Sequence, residues 1–458
     1  MAKLTHRLIC IGAVLLFCGC GKAIRSYESE LNQSLDLAKI GDLQGAIELH
    51  DRFNRKNRDI LYLFELGEFL RLQGKFPESI SVWREAEKQV EDWEMRARSD
   101  PNLLLQDLGS VLVNDKVRVY QGHDFEKVML TTRIAMSYLA AGDLRNARVA
   151  IKRAHEREAV IATFRERQYE RIRAENSDDA SIKNINDLPG YPVATLDDPQ
   201  VTQLKNSYQS AFSHYLAGFI YEVLGERGLA APGYRQAIEL QPSIDLGRHA
   251  LASLDRNLDN PDESKTDLLV VFEDGLSPAK STIRLDVPIN TDEGFVLLPL
   301  SFPAFNSAAE GNDITSFDLT GASIELKNQN VDVMTNIDLF SRRALRDDFP
   351  FILLRAITRG GLKATLQSAL NKHDKTGISA ELARIGGLVT EEADERIWRS
   401  LPKRISLART AIEHGDYEMF IQSQYGSKKI KMKVDGRYAI LFVRSLGSSF
   451  FSHFTVLK

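Results

Sequence analysis

The sequence predicts an α+β multidomain protein, in which an N-terminal all-α array of helical hairpins precedes a C-terminal β-rich, sandwich-like domain with a helical insert. Two patterns carry this prediction. Glycines recur at positions 41, 74, 142 and 225 between apolar segments of helical period. Beyond about residue 265 the apolar period changes to two, which is typical of strands. A length of 458 residues leaves room for about three domains.

Composition and charge restrict the possible functions. The chain is 43% hydrophobic and 27% charged, as in an ordinary globular protein. Its 59 Lys and Arg residues stand against 63 Asp and Glu residues, so no global positive field attracts nucleic acid. The three cysteines are Cys10, Cys18 and Cys20. The remaining sequence therefore has no disulfide, no thiolate nucleophile and no cysteine-based metal site.

The first residues form a targeting segment. Lys3, His6 and Arg7 are basic, and the apolar stretch Leu8–Phe17 follows them. Ten residues rise only about 15 Å as a helix, which is half the thickness of a hydrocarbon core. We therefore predict a signal peptide rather than a membrane-spanning helix.

The end of the apolar stretch, Phe17–Cys20, resembles a bacterial lipobox. The resemblance implies a signal peptide over residues 1–19, cleavage before Cys20, lipid chains such as palmitate on Cys20, and a lipidated tether over residues 20–25. Gly21 follows the cysteine, which by the same resemblance implies the outer membrane and a periplasm-facing body. A plain secretory signal, an uncleaved anchor and retention in the inner membrane remain open.

A repeat explains the helical half. Residues 211–244 fit the 34-residue tetratricopeptide (TPR) pattern, with Pro242 ending the second helix. Three further segments fit the same frame, so we predict a TPR-like array over residues 26–256. An irregular helical bundle that obeys the same packing rules is the alternative. The small residues predicted to pack the hairpins are Gly67, Gly74, Ala86, Ala135, Gly142, Ala147, Gly218, Gly225, Ala230 and Ala237.

A polar connector at residues 112–130 fits the repeat poorly. Such a connector could line the concave groove where helical arrays bind partners. The alternative is a turn at Asn114-Asp115 and a helix cap at Gly122-His123-Asp124. The candidate partner-binding residues are Asn114, Asp115, Tyr120, Asp124 and Glu126.

A basic helix is predicted to continue to about residue 174. Between Arg145 and Arg173 it carries nine Arg or Lys residues against four Glu residues. Such a helix is most often a solvated face with internal ion pairs. The other interpretation is a docking face for an acidic partner, anionic lipid or anionic wall polymer.

These features together carry a family resemblance. The connector at residues 112–130, the repeat that follows it and the later run Asp394–Pro402 resemble a family of uncharacterised proteobacterial TPR-containing lipoproteins. The chain is also similar, more loosely, to outer-membrane TPR lipoproteins that scaffold peptidoglycan enzymes or barrel assembly. The resemblance implies architecture and location, and it supplies no catalytic residue.

The second half is predicted from its strand pattern. A charged linker at residues 257–266 precedes a β-rich domain over residues 267–458. A helical insert at about residues 349–398 interrupts it. Asp348 could cap the first helix of this insert, and Pro350 suits its first turn.

The last strands carry two further signals. Asp435-Gly436 predicts a two-residue hairpin between the strands on either side of it. Lys429, Lys431 and Lys433 would share one solvent face, which either protects an edge against aggregation or binds a polyanion. The turn at Gly415–Tyr417 and the following strands weakly resemble a small envelope β-sandwich of the transthyretin or PEGA type.

Catalytic signatures are missing from the sequence. It has no G-x-G-x-x-G, no P-loop and no G-x-S-x-G, and none of its nine histidines stands at metal-ligand spacing from another. We therefore expect no enzyme activity, no cofactor and no bound metal.

The predicted function is a non-catalytic interaction scaffold of the cell envelope. Its expected partners are envelope proteins in the TPR-like groove and the membrane through Cys20, with peptidoglycan or anionic lipid as further candidates and no nucleic acid. Two alternatives stay open. One is an accessory lipoprotein of an export or assembly apparatus for polysaccharide, pili or secretion. The other is a peptidoglycan- or glycan-binding protein or hydrolase that acts through the β-rich domain.

Overall fold

The computed structural model describes residues 27–54, 58–99, 119–175, 190–291, 294–305, 314–321, 324–353 and 393–457. The predicted signal peptide, Cys20, the tether, Asn114 and Asp115 lie outside these residues.

The first half is an array of helical hairpins. Each hairpin turns at a glycine in the left-handed region, with φ of +92° at Gly41, +77° at Gly74, +76° at Gly142 and +74° at Gly225. These are the four glycines whose recurrence predicted the repeat. The helices of the array are α1 Tyr27–Lys39, α2 Leu43–Asn54, α3 Ile60–Leu72, α4 Phe76–Ser99, α5 Asp124–Ala140, α6 Leu144–Glu175, α7 Val193–Leu196, α8 Pro199–Thr202, α9 Ala211–Val223, α10 Arg227–Leu240 and α11 Leu246–Asp259.

Close helix approach depends on glycine at two positions. A Cβ on Gly67 would lie 2.2 Å from the indole Nε1 of Trp83, and a Cβ on Gly218 would lie 2.7 Å from the ring of Tyr234. The predicted alanines at 86, 135, 147, 230 and 237 are all buried. Small residues therefore face large aromatic ones inside each hairpin, as helix packing requires.

The second half contains two packed sheets and a separate hairpin. Its strands are β1 Lys265–Asp274, β2 Lys280–Thr291, β3 Gly294–Phe305, β4 Ser316–Gly321, β5 Glu325–Asn330, β6 Asp332–Asn336, β7 Arg404–Glu413, β8 Gly415–Ser423, β9 Gly426–Val434, β10 Tyr438–Leu446 and β11 Ser449–Leu457. A helix, α12, is described over residues 337–353. An all-α array followed by a sheet-rich half confirms the predicted fold class.

Strand order defines the two sheets. The central sheet has the order β11-β10-β1-β7-β6, in which β1 and β10 are parallel. The outer sheet has the order β5-β4-β8-β9, and among the described strands β2 pairs with β3 alone. Every residue of β10 is buried. A strand that is buried throughout and apolar except at Arg444 and Ser445 fits a sheet covered on both faces.

The central sheet lies between the helices and the outer sheet. Along β1, Leu269 and Val271 join the core that contains the helices, whereas Leu268 and Val270 join the core shared with the outer sheet. This alternation follows from the two-residue period of a strand. The helical array and the central sheet therefore share one hydrophobic core.

The boundaries differ from prediction in two places. Helix α11 continues to Asp259 and β1 begins at Lys265, so the linker is shorter than the predicted residues 257–266. Leu258, the one large apolar residue of that stretch, packs against the core and extends the helix. Helix α12 begins before the predicted insert at residue 349, because the Asn336 side chain accepts the backbone N–H of Leu339 at 3.3 Å.

This earlier start changes the role of the residues at the predicted helix start. Asp348 and Pro350 lie inside α12 rather than in its first turn. The predicted insert then continues through residues 354–392, which lie outside the described residues. Residues 393–398, at its predicted end, form no helix.

The predicted hairpin at Asp435-Gly436 is wrong. Strand β9 pairs with β8 in the outer sheet, whereas β10 pairs with β1 and β11 in the central sheet. The turn thus passes the chain from one sheet to the other. Burial on both faces explains this, because β10 is apolar enough to fill the middle of the protein and β9 alternates with lysine.

Candidate functional site

The inner side of the helical array holds a non-helical segment of the same chain, with a turn at Arg399 and Ser400. Residues of α3, α5 and α9 are buried almost without exception and face the C-terminal half. Residues 393–403, here called the groove segment, pass along this face. The fully buried Trp398 stacks on Phe64 with ring centroids 4.4 Å apart and meets Trp83 edge-on at 6.0 Å.

Two carboxylates of the array bind the backbone of the groove segment. Glu126 accepts the backbone N–H of Trp398 at 2.6 Å. Glu65 accepts the backbone N–H groups of Arg399 at 2.6 Å and Ser400 at 3.0 Å. Burial raises the pKa of Glu65 to about 8, although these hydrogen bonds favour its ionised form. The array thus satisfies the backbone donors of Trp398 and of the turn at Arg399 and Ser400 with side-chain oxygens.

A buried ionic cluster joins the array to the central sheet. Glu273 of β1 accepts from Arg71 at 2.6 Å and from Arg133. Arg71 also donates to Glu68 at 2.8 Å. Burial alone would raise the pKa of Glu68, but the guanidinium groups of Arg133 and Arg71 lower it to about 2. Arg444 of β10 completes the cluster and donates to the Ser400 carbonyl at 3.1 Å.

The predicted partner-binding residues that the structure describes lie beside the groove segment. Tyr120 donates its hydroxyl to Glu126 at 2.6 Å, and the Arg396 guanidinium lies 5.2 Å from the centre of the Tyr120 ring. Asp124 accepts from Arg165 of α6 at 2.6 Å. Tyr120 and Glu126 therefore contact each other, and all three residues contact other parts of the same chain.

A pocket opens next to this junction, and we call it the His123 pocket. Its volume is about 210 Å³. It lies where the start of α5, helices α4 and α6, the β2–β3 hairpin and α12 meet. Its lining combines aromatic and aliphatic side chains with charged ones: Trp93, Gln121, Gly122, His123, Asp124, Lys127, Phe164, Arg165, Gln168, Lys280, Pro303, Leu345, Asp348, Phe351, Ile352 and Asp394.

A Lys–His–Asp chain crosses this pocket. The Nζ of Lys280 lies 2.9 Å from Nε2 of His123, and Nδ1 of His123 lies 3.8 Å from Oδ2 of Asp348. Arg165 bridges Asp124 and Asp348 from the other side. Sequence inspection missed Lys280 and Asp348, because they lie 157 and 225 residues from His123 and share no motif with it.

The carboxylates of the pocket are held in their ionised form. Burial opposes ionisation, but Arg165 lowers the pKa of both Asp124 and Asp348. A hydrogen bond from Arg396 lowers the pKa of Asp394 in the same way. A general acid near neutral pH needs a raised pKa. These three aspartates therefore suit binding and positioning better than acid catalysis.

The basic residues of α6 are largely paired within the chain. Arg148 contacts Glu226 at 2.8 Å, Arg153 contacts Glu87 at 3.1 Å, and Arg157 contacts Glu94 at 3.2 Å. This pattern favours the interpretation of internal ion pairs over a docking face.

The three lysines of β9 share an exposed face, as predicted. Lys429 pairs with Glu418 at 2.8 Å, Lys431 is the cross-strand neighbour of Glu418, and Lys433 is that of Asp416. Neighbouring carboxylates neutralise this face, which favours edge protection over binding of a polyanion.

Metal ligation and membrane spanning both find no support within the described ranges. No group of three or more His, Cys, Asp or Glu residues there is arranged to hold a metal ion. None of the helices there has the length and apolar character needed to cross a membrane.

Comparisons with known proteins show only distant likeness. No family model matches the chain, and no curated protein matches its sequence. MamA from Desulfovibrio magneticus RS-1 is similar at 14% identity over 51% of this chain and 86% of that one, with a TM-score of 0.28. The TPR2AB domain of yeast Sti1, in its complex with pHSP90, is similar at 17% identity over 50% and 70%, with a TM-score of 0.21.

A tetratricopeptide repeat protein from Parabacteroides merdae is similar at 16% identity over 50% of this chain and 98% of that one, with a TM-score of 0.14. TM-scores this low carry no argument about fold or function. The architecture rests on the helices and strands described above.

Proposed function

We propose that this protein is a lipid-anchored envelope protein that acts as a non-catalytic interaction scaffold, with its TPR-like array binding a protein partner. One observation carries the proposal. The array already holds a non-helical peptide, the groove segment, through Glu65, Glu126 and an aromatic slot around Trp398. Backbone hydrogen bonds combined with a buried aromatic anchor are the contacts by which proteins recognise peptides.

Because the chain's own groove segment occupies the groove in which the sequence analysis placed a partner, we propose the outer helices of the array as the partner's binding surface instead. The groove is filled by Trp398 and the central sheet, and emptying it would expose a shared core. Exposed large apolar side chains lie on the second helix of three hairpins: Met95 of α4 is 61% exposed, Val149 of α6 is 43% exposed and Leu229 of α10 is 45% exposed. Single exposed apolar residues are ordinary and do not by themselves indicate a binding surface. These three positions serve as sites for the crosslinking probe.

Photo-crosslinking in living cells tests the scaffold role. A photoreactive amino acid replaces Met95, Val149 or Leu229, one at a time, in the full-length chain. We expect at least one position to crosslink to a defined protein. Tyr425, which is 54% exposed on the turn between β8 and β9, is the matched control on the opposite layer. Identical products from all four positions, or none from the array, would contradict the proposal.

Anchoring is tested separately through Cys20. The sequence around this residue supports a lipidated, membrane-bound mature protein, and several acyl chains on one residue give stable attachment. We expect the wild-type protein to incorporate labelled palmitate and to sediment with outer membranes. Cys20→Ser should lose the label and move to a soluble or unprocessed fraction. An unlabelled wild-type protein would remove the anchor from the proposal without touching the scaffold role.

A further inference from the structure

The His123 pocket contains a lysine in an unusual environment. Lys280 is only 7% exposed, although lysine is rarely buried without a carboxylate partner. Among the described residues its Nζ forms no direct ion pair, and its hydrogen-bond partner is Nε2 of His123 at 2.9 Å. A buried ammonium without a direct counter-ion is costly, so this site favours the neutral amine.

While Lys280 is still an ammonium, its hydrogen bond to His123 determines which imidazole nitrogen carries the proton. An ammonium at Lys280 can donate to Nε2 only if that nitrogen carries no proton, which places the imidazole proton on Nδ1. Nδ1 faces the carboxylate of Asp348 at 3.8 Å. If Nε2 takes the proton of the ammonium, Asp348 stabilises the imidazolium that forms. His123 is thus oriented as a proton acceptor for Lys280.

The charges around Lys280 do not cancel the preference of this site for the neutral amine. Burial is the main effect and lowers the pKa of Lys280, and Arg396 lowers it further. Asp394, Glu126 and Asp348 act in the opposite direction. Each of these carboxylates is itself engaged: Asp394 by Arg396, Glu126 by Trp398, and Asp348 by Arg165.

We propose that Lys280 is a nucleophilic amine that captures a small aldehyde or ketone as an imine inside the His123 pocket. The ammonium of Lys280 gives a proton to Nε2 of His123, and the freed lone pair on Nζ attacks the carbonyl carbon. The carbonyl oxygen takes up a proton and, after a second protonation, leaves as water while the C=N bond forms. The sum is ammonium plus carbonyl compound giving protonated imine plus water, with no oxidant or reductant.

The pocket also limits the ligand. About 210 Å³ admits a small molecule, and Trp93, Phe164, Phe351 and Ile352 offer it an apolar wall. We therefore infer a carbonyl group on an apolar or aromatic body. The capture is stoichiometric and independent of the scaffold role, so either proposal can fail without the other.

Reductive trapping tests the inference on the purified full-length chain. The protein is treated with benzaldehyde and cyanoborohydride, and benzylated lysines are quantified by peptide mass spectrometry. We expect Lys280 to react faster than the exposed Lys429 of β9 and faster than Lys127, which lines the same pocket and pairs with Asp124. Lys280→Arg should lose the label at this position alone.

Two variants separate activation from mere placement. His123→Gln should lower the trapping rate at Lys280 by about tenfold or more, because the proton acceptor is lost. Asp348→Asn should lower it less, and neither should alter the rate at Lys429. The rate at Lys280 should also reach half of its maximum at a lower pH than the rate at Lys429. In the urea-unfolded chain, Lys280 and Lys429 should react at the same rate and with the same pH dependence.

A purely structural lysine gives the opposite result. Its burial would make Lys280 react more slowly than Lys429 in the native chain, and that outcome would overturn the proposal. An unchanged rate in a folded His123→Gln variant would do the same for the role of His123. If the His123→Gln variant unfolds, the trapping rates of Lys280 and Lys429 in the wild-type protein, and the pH dependence of each rate, still test the proposal.

Discussion

The Glu126 carboxylate accepts the backbone N–H of Trp398 at 2.6 Å, across 272 residues of sequence. The same carboxylate accepts the backbone N–H of His123 and the hydroxyl of Tyr120. One buried side chain thereby fixes the start of α5, the connector before it and the groove segment. The two halves of the chain are joined at this point by specific contacts, in addition to their shared core.

Trp398 should contribute strongly to stability. Trp398→Ala removes a fully buried indole that packs on Phe64 and Trp83. Because a large cavity remains, we expect the free energy of unfolding to fall by about 3–5 kcal/mol in urea titrations. Tyr425→Ala, which alters an exposed aromatic residue, should change it by less than about 0.5 kcal/mol. Equal effects of the two variants would show that the aromatic slot carries little energy.

The ionic cluster should be sensitive to loss of its central carboxylate. Glu273→Gln removes one of the two buried carboxylates, Glu273 and Glu68, that face the guanidinium groups of Arg71 and Arg133, and leaves Glu68 alone to balance both charges. We expect destabilisation by about 3–5 kcal/mol, measured by chemical unfolding. Glu418→Gln breaks the exposed pair with Lys429 and should cost at most about 1 kcal/mol. A similar small loss for both would contradict the importance of burial.

His155 should make stability depend on pH. Burial lowers its pKa to about 3 in the folded protein, with a further contribution from His214, which stacks on it at 4.4 Å. In the unfolded chain a histidine has a pKa near 6.5, so below that pH the unfolded state binds a proton that the folded state excludes. Stability is therefore fully present above about pH 6.5 and is lost as the pH falls towards 3.

The measurement compares wild type with His155→Gln. Between pH 7.5 and 5 the wild type should lose about 2 kcal/mol more than the variant in its free energy of unfolding. Glu65 acts in the opposite direction, since its raised pKa weakens the folded state as the pH rises towards 8. The difference between the two proteins cancels that contribution. Parallel curves for both would exclude His155 as the source.

Gly67 should not tolerate a side chain. In Gly67→Ala the new Cβ would lie 2.2 Å from Trp83 Nε1, so the hairpin of α3 and α4 must open. We expect a loss of about 1–3 kcal/mol by thermal or urea unfolding. Gly228→Ala is the control, because no atom lies within 4 Å of a Cβ there. That variant should gain about 0.4–1 kcal/mol by reducing the entropy of the unfolded chain. A gain in both would contradict close packing at Gly67.

Local sequence signals predicted the helices and turns of the array better than they predicted which of its residues bind the groove segment. The glycines at 41, 74, 142 and 225 all take left-handed turn conformations, because a one-residue reversal after a helix needs φ above zero. No local signal in the sequence predicted that Glu126 accepts the backbone N–H of Trp398. A carboxylate in a connector looks the same in sequence whether it faces solvent or a backbone N–H 272 residues away.

The strands show the same limit. Alternation identified β9, but the turn at Asp435-Gly436 suggested a hairpin that does not form. The pairing of β10 with β1 depends on burial of both faces of β10, which only the whole fold supplies. Lys280 and Asp348 were missed for a related reason, since tertiary contacts alone bring them to His123.

The parallel pairing of β1 with β10 sets the order of folding. Leu269 can meet its neighbour Ile440 only after the 170 intervening residues of the chain are available. Until then the apolar inner surface of α3, α5 and α9 remains exposed to water. Partly folded chains that expose such a surface aggregate or bind chaperones. Truncation anywhere before residue 446 should therefore make the whole protein insoluble, instead of removing one layer of an otherwise folded protein.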